Sequence, residues 1–149
     1  MSIVIEIHGD PVAKGRGRIG KDAVGNARIF TPKKTARYED LIRLAAGQIM
    51  EGREIITGAV EVFVHAYLAY PKSMSKKKLT EAVGGRVRPC TRPDIDNYVK
   101  SALDGLNGIV FVDDNQVVSL YAHKVYRSNP ALRIEIRECW APRSKEELV

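Results

Sequence analysis

Aspartates cluster in one short stretch of this 149-residue chain, and their spacing restricts how the chain can fold. Five of the eight aspartates fall between Asp94 and Asp114. Asp94 and Asp96 open a segment with the apolar spacing of a helix that ends at Asn107, so Asp114 can join them only if the chain doubles back. Such a helix rises roughly 18 Å at about 1.5 Å per residue, and the extended residues from Asn107 to Asp114 span up to roughly 24 Å. The return is therefore feasible.

This acidic window has two interpretations. Its five aspartates against one lysine give a net charge of −4 inside a chain of formal net charge +6, and clustered carboxylates hold hard cations beside a phosphate. Lys100 lies one helical turn after Asp96, and Asp104 follows one turn later, which places a cation beside the carboxylates. Alternatively, Asp94 only caps the helix, and Asp96, Lys100 and Asp104 form a solvated charge ladder. Residues 113–115 are then an ordinary polar turn. The residues alone leave both interpretations open.

Composition indicates one cytoplasmic domain with an acidic partner. The length suits a single core, so we expect one domain at 1–140 and a flexible tail at 141–149. The sequence pI of about 9.4 favours nucleic acid, because the basic stretches lack the apolar face that a membrane surface requires. No apolar run reaches membrane-spanning length. Two isolated cysteines, Cys90 and Cys139, favour a reducing compartment over a disulfide scaffold.

Hydrophobic periodicity predicts an α+β domain with the element order β-α-β-α-β-β. The predicted strands are 3–7, 59–70, 116–126 and 132–137, and the predicted long helices are 32–50 and 95–107. Thr31 is the expected N-cap of the first helix, with Pro32 at its first helical position. A short serine-capped helix is expected over 72–79, and a turn at 128–130 is expected to join the last two strands.

A glycine-rich basic stretch begins at Lys14 and lacks an apolar period, so we expect a long loop before the first helix. Alternating glycines let its backbone approach a phosphate, which makes Lys14, Arg16 and Arg18 candidate DNA contacts. Further basic candidates lie later in the chain, and they are Lys72, Lys76, Lys77 and Arg92. A merely solvated face is the alternative for the run at 72–78.

Three motifs carry a resemblance to a known family. They are the run Arg92-Pro93-Asp94-Ile95-Asp96-Asn97 followed by Lys100, the run Leu103-Asp104-Gly105-Leu106-Asn107-Gly108, and the run Val112-Asp113-Asp114-Asn115-Gln116-Val117. Together they resemble the signature of the RusA family of Holliday junction resolvases, which prophages often carry. The resemblance implies a mixed sheet with a closing hairpin, and a homodimeric, magnesium-dependent endonuclease that cuts branched DNA such as a four-way junction.

Carried over by position, the resemblance makes Asp94, Asp96 and Asp114 the essential carboxylates that bind Mg²⁺, and Lys100 the catalytic lysine. Asp113 matches the family's adjacent acid and is a further candidate metal ligand. We therefore expect a nuclease that resolves Holliday junctions by paired nicking in DNA recombination and repair. Two other functions stay open: a non-catalytic DNA-binding module, and a metal-dependent hydrolase of a small phosphorylated substrate.

Overall fold

The computed structural model describes residues 2–139, which contain six strands and three α-helices. The strands are β1 (Ser2–His8), β2 (Arg18–Lys21), β3 (Ala27–Phe30), β4 (Val60–Leu68), β5 (Val117–Tyr126) and β6 (Ala131–Glu138), and the helices are α1 (Lys33–Ile49), α2 (Lys76–Val83) and α3 (Ile95–Leu106). The α+β class and the four predicted strands are confirmed, whereas β2 and β3 are additional. The tail predicted at 141–149 lies outside the described residues.

The main sheet has four strands in the order β1-β6-β4-β5. It is mixed, because β4 pairs in parallel with β5 and antiparallel with β6. The closing hairpin expected from β5 and β6 is wrong, since β4 lies between them. Every second residue of β4 from Val60 to Ala66 is buried, which suits a central strand, whereas β5 exposes much of its first half. The connection from β5 to β6 crosses the end of β4, where the Arg127 N–H donates to the Leu68 carbonyl at 2.8 Å.

The basic stretch is a β-hairpin rather than the expected structureless loop. β2 and β3 pair antiparallel, with Ile19 opposite Ile29. The turn is closed by Asp22, whose Oδ1 accepts hydrogen bonds from the backbone N–H groups of Val24 and Asn26 at 3.0 and 2.8 Å. Almost every residue of both strands is exposed, so burial imposes no apolar alternation on the sequence. We call residues 16–30 the hairpin arm.

The helix boundaries differ from the predictions in two places. Pro32, not Thr31, occupies the N-cap position of α1, and no side chain caps that end. The short helix is serine-capped as predicted, but it lies at Lys76–Val83, because Ser75 accepts the hydrogen bond from the Lys78 N–H at 3.2 Å. Within residues 2–139, no helix is long and apolar enough to cross a membrane.

Helices α1 and α3 cover one face of the main sheet and enclose the core. Alternate residues of β1, β4 and β6 meet the buried residues of both helices there; the largest fully buried side chains include Ile3, Ile5, Ile42, Leu106, Leu132 and Ile134. The two helices cross at Gly105, where an added Cβ would lie 2.5 Å from Ile42 Cγ2. Only glycine therefore permits this close packing, which sets the distance between α1 and α3.

Candidate active site

The acidic residues lie where α3 begins and where the chain returns to it. Asp94 occupies the N-cap position of α3 and Asp96 lies in its first turn. Asp114 opens a 3₁₀ turn that leads into β5. The ammonium of Lys100 lies 3.9 Å from Asp114 Oδ2, so the chain doubles back past α3, as the spacing allowed. Gly108, which follows the C-cap residue Asn107, has a left-handed φ of 78°.

The return segment is fixed by polar contacts. The side-chain amide of Gln116 donates to the carbonyls of Ile56 and Gly58, each at 2.9 Å. Asp113 caps the 3₁₀ turn, because its Oδ1 accepts a hydrogen bond from the Asp114 N–H at 3.0 Å. Gln116 Oε1 accepts from the Asp113 N–H at 2.9 Å in return. One oxygen of Asp113 is thus engaged in holding Asp114 in place.

Asp94 is supported by a contact that sequence reasoning did not assign. Lys124, on β5, donates hydrogen bonds from Nζ to the carbonyls of Thr91 and Pro93 at 2.8 and 3.0 Å. These carbonyls flank Arg92, and the second one immediately precedes Asp94. Lys124 is the only charged residue of β5, and that isolated charge in an apolar strand was the signal available in the sequence.

An ionic network surrounds the predicted catalytic lysine. Lys100 Nζ lies 3.0 Å from Asp104 Oδ1, which confirms the predicted one-turn contact between them. The other oxygen of Asp104 lies 3.1 Å from Lys14 Nζ, and Lys14 also lies 2.6 Å from Glu39 Oε1 on α1. The Lys14 side chain is only 24% exposed, so carboxylates surround this ammonium. Lys14 also lines a cleft with Arg16 and Asp94, so the phosphate contact expected from the sequence stays a prediction.

Charge interactions shift the pKa values of two members of this network, Asp104 and Lys14. Burial alone would raise the pKa of the Asp104 carboxyl, but hydrogen bonds from Lys100 and Lys14 outweigh it and hold that pKa below its usual value. Burial alone would lower the pKa of the Lys14 amine, whereas Glu39 and Asp104 raise it, and the net shift is upward. Asp104 and Lys14 are therefore both charged at neutral pH.

The three predicted metal-binding carboxylates are not arranged as a preformed cage. Within residues 2–139, no group of three or more histidine, cysteine or acidic side chains is placed to hold a metal ion. The donor set nevertheless fits a hard cation, because it consists of carboxylate oxygens only. The Asp94 side chain makes no capping hydrogen bond, and in the described part of the chain neither Asp94 nor Asp96 enters an ion pair. Both carboxylates are exposed and available to a ligand.

Basic residues line a series of clefts that runs past Asp94. One cleft of about 610 Å³ is lined by Arg16, Arg92 and Asp94. A second, of about 580 Å³, shares Arg92 and Asp94 with the first and extends to Cys90. A third, of about 490 Å³, continues from Cys90 to Lys78. We call this series the basic groove.

The remaining predicted DNA contacts lie at the two ends of the basic groove. Arg18 lines an adjoining cleft of about 650 Å³ together with Arg16. Lys72, Lys76 and Lys77 are exposed near the other end, but it is the neighbouring Lys78, which was not predicted, that lines the groove.

Two comparisons connect this geometry with known proteins. The family model described as Endodeoxyribonuclease RusA matches residues 8–137, a range that includes the whole acidic motif. A relative described as uncharacterized protein YqaN, from Bacillus subtilis strain 168, is 41% identical over 138 residues, which cover 91% of this chain and 96% of that protein. The chain therefore belongs to the RusA family of endodeoxyribonucleases, metal-dependent enzymes that resolve Holliday junctions.

Proposed function

We propose that this protein is a Mg²⁺-dependent resolvase that cuts four-way junctions by paired nicking, in the cytoplasm, during DNA recombination and repair. The observation that carries the proposal is the position of Lys100, between Asp104 at 3.0 Å and Asp114 at 3.9 Å and on the helix that Asp94 and Asp96 open. A cation beside exposed carboxylates, within a basic groove, suits hydrolysis of a phosphodiester. The exposed free thiols of Cys90 and Cys139 are consistent with a reducing compartment.

Asp94, Asp96 and Asp114 are the residues that would hold Mg²⁺. When bound, Mg²⁺ would lower the pKa of an attacking water and neutralise charge on the scissile phosphate. Asp114 is kept in position by the turn that Asp113 caps, and the second oxygen of Asp113 is an additional candidate ligand. Lys124 orders the backbone that leads into Asp94.

Lys100 would act on the phosphate itself. Its ammonium lies on the surface of α3, is about half exposed, and is held by Asp104 one turn later. From there it would donate to the oxygen on which negative charge develops, a contribution of roughly 3 kcal/mol for one well-placed donor. Asp104 orients the ammonium.

The basic groove would bind the DNA backbone on both sides of the carboxylates. Arg92 adjoins Asp94, and Arg16 and Arg18 extend the groove into the hairpin arm. Exposed lysines before and within α2, at 72, 76 and 77, would contact a further arm of the junction. Contacts to phosphate orient DNA without reading its sequence, which suits an enzyme that selects a branched shape.

Paired nicking requires two active sites. One chain supplies one carboxylate cluster, and a two-fold homodimer is the simplest assembly that presents two of them symmetrically. In a mixed dimer of one intact chain and one Asp96→Asn chain, we expect a supercoiled cruciform plasmid to be nicked rather than made linear. Efficient linearisation by mixed dimers, or an active monomer in sedimentation, would contradict the paired-site assignment.

A nuclease assay tests the whole proposal. Purified protein is incubated with a four-way junction or with linear duplex of the same sequence, with and without Mg²⁺, and we expect cleavage of the junction only, in Mg²⁺ only. Asp96→Asn should abolish this cleavage and leave junction binding intact. The matched control is Glu51→Gln, which removes an exposed carboxylate from the turn after α1. Substantial cleavage by Asp96→Asn in Mg²⁺ would refute the assignment of Asp96 as a metal ligand.

A further inference from the structure

Lys14 begins the segment that leads into the hairpin arm, yet its backbone is fixed to both core helices. Its N–H donates to the Asn97 carbonyl on α3 at 2.8 Å, and the next N–H, of Gly15, donates to Thr35 Oγ1 on α1 at 3.0 Å. Thr35 is buried. The base of the hairpin arm is therefore anchored between α1 and α3, beside the first turn of the helix that carries the acidic motif.

The Lys14 side chain continues this anchorage into the ionic network. It bridges Glu39 of α1 and Asp104 of α3, at 2.6 and 3.1 Å. Glu39 is only 8% exposed, and its other nearby cation is Arg43, whose Nη2 lies 3.8 Å from Glu39 Oε2 and donates to the Asp104 carbonyl at 3.2 Å. Leaving the buried Glu39 carboxylate without a cationic partner would strongly destabilise the folded protein. The folded state therefore favours the arrangement in which Lys14 and Arg43 stay beside Glu39.

Asp104 is the residue that connects Lys14 with Lys100. Lys14 binds Oδ2 and Lys100 binds Oδ1, so each oxygen of one carboxylate holds one ammonium. Lys100 also faces Asp114 at 3.9 Å. If Lys14 were absent, both oxygens of Asp104 would be free to attract Lys100, which would draw its ammonium away from Asp114 and from the phosphate beside it.

We propose that Lys14 is a positioning residue for Lys100, acting through Asp104, and that it joins the base of the hairpin arm to the active site. This inference rests on the proposed function, because it assigns a second lysine to the placement of the first. It replaces the direct DNA contact expected for Lys14 with an indirect role in catalysis. The raised pKa of Lys14 and the lowered pKa of Asp104 agree with an ion pair between these two residues.

The test separates rate from binding. We expect Lys14→Met to lower the single-turnover cleavage rate at saturating protein by about tenfold, because misplacing a transition-state donor costs up to the ~10²-fold of losing it. The Kd for the junction and its salt dependence should stay unchanged. A phosphate contact would do the reverse: a weaker Kd, a slope of log K against log salt smaller by about one, and a normal saturated rate. That outcome would overturn the proposal.

Two controls separate positioning from general destabilisation. Arg53→Met removes one positive charge from the exposed turn after α1 and should leave rate and binding unchanged. Lys14→Gln, which keeps a hydrogen-bond donor but loses the charge, repeats the test if the methionine variant does not fold. A fall in Tm with a normal saturated rate would show that Lys14 is merely structural, and would overturn the proposal.

A second measurement does not depend on nuclease activity. Carboxyl ¹³C NMR of metal-free protein follows the titration of Asp104, and we expect its pKa to rise towards the usual value in Lys14→Met and to stay low in Lys14→Arg. An unchanged Asp104 titration in Lys14→Met would disprove the link even in an active enzyme. Failure of the intact protein to cut junctions, with the expected Asp104 shift still present, would instead refute the proposed function.

Discussion

The crossing of α1 and α3 at Gly105 gives a prediction that the structure makes quantitative. A Cβ added at Gly105 would lie 2.5 Å from Ile42 Cγ2 and 2.6 Å from Ile42 Cβ. Restoring ordinary contact requires the helices to separate by about 1 Å, and overpacking of this kind costs about 1–3 kcal/mol. The clash with the Ile42 Cβ cannot be relieved by a rotamer change, so we take the upper value. Alanine gains back about 1 kcal/mol through helix propensity.

Gly105→Ala should therefore destabilise the protein by about 2 kcal/mol and lower its Tm by roughly 4–8 °C. The matched control is Gly47→Ala, which lies within α1 with nothing within 4 Å of the added Cβ. That variant should be stabilised by up to ~1 kcal/mol, because it gains helix propensity without a clash.

Thermal unfolding followed by circular dichroism, with urea titration as a check, measures both variants. The two identical substitutions should shift Tm in opposite directions. If Gly105→Ala were as stable as Gly47→Ala, the close crossing of the helices would be wrong. Lys14 bridges Glu39 on α1 and Asp104 on α3. Because Gly105→Ala would push these helices apart and disturb that bridge, it should also slow saturated cleavage.

Three further predictions concern catalysis, binding and pH. In single-turnover kinetics, Lys100→Ala should lower the saturated cleavage rate by about 10²-fold or more, with little change in Kd. A weaker Kd with a normal saturated rate would instead show that Lys100 only contacts a phosphate. Arg16→Ala combined with Arg18→Ala should weaken binding to all DNA sequences equally. Measured by fluorescence anisotropy, the slope of log K against log salt should fall by up to about two. An unchanged slope would show that the hairpin arm makes no DNA contacts. Burial, together with His123 and Arg133, lowers the pKa of His65, and burial with Arg88 lowers that of His123. Folding therefore favours the neutral rings, and their stabilisation is present above pH ~6.5 and lost as the pH falls through their folded pKa values. Replacing both histidines by glutamine should flatten the fall in Tm between pH 7 and 5, and an equally steep fall would refute this.

Strands and helices that bury one face in the core were predictable from the sequence. The alternation in β1, β4 and β6 reflects one buried face, and the apolar stripe of α3 reflects its contact with the sheet. Chain length showed only that the return of Asp114 towards α3 was feasible, and the structure confirms that it occurs. Gln116, which anchors that return, left no signal that distinguishes it from any polar turn residue.

Features decided by pairing between distant segments were not predictable. The hairpin arm is exposed on nearly every residue, so no burial pattern marks its strands. The separation of β5 from β6 depends on β4 occupying the place between them, which no local pattern encodes. The ion pairs of Lys14 were not predictable because its partners Glu39 and Asp104 lie far along the chain, and a charge run shows sign but not partner.

The pairing of β1 with β6 has a consequence for how the protein assembles during synthesis. Ser2 and Glu135 lie 133 positions apart, and Ser2 Oγ donates to Glu135 Oε1 at 3.0 Å. Closing so long a loop costs roughly 2 kcal/mol more than closing one of about ten residues. β1 therefore stays without its strand partner β6 until nearly all of the described chain has left the ribosome. Truncation before β6 would also strip one side of β4, and so abolish cleavage although β6 contributes no residue to the site.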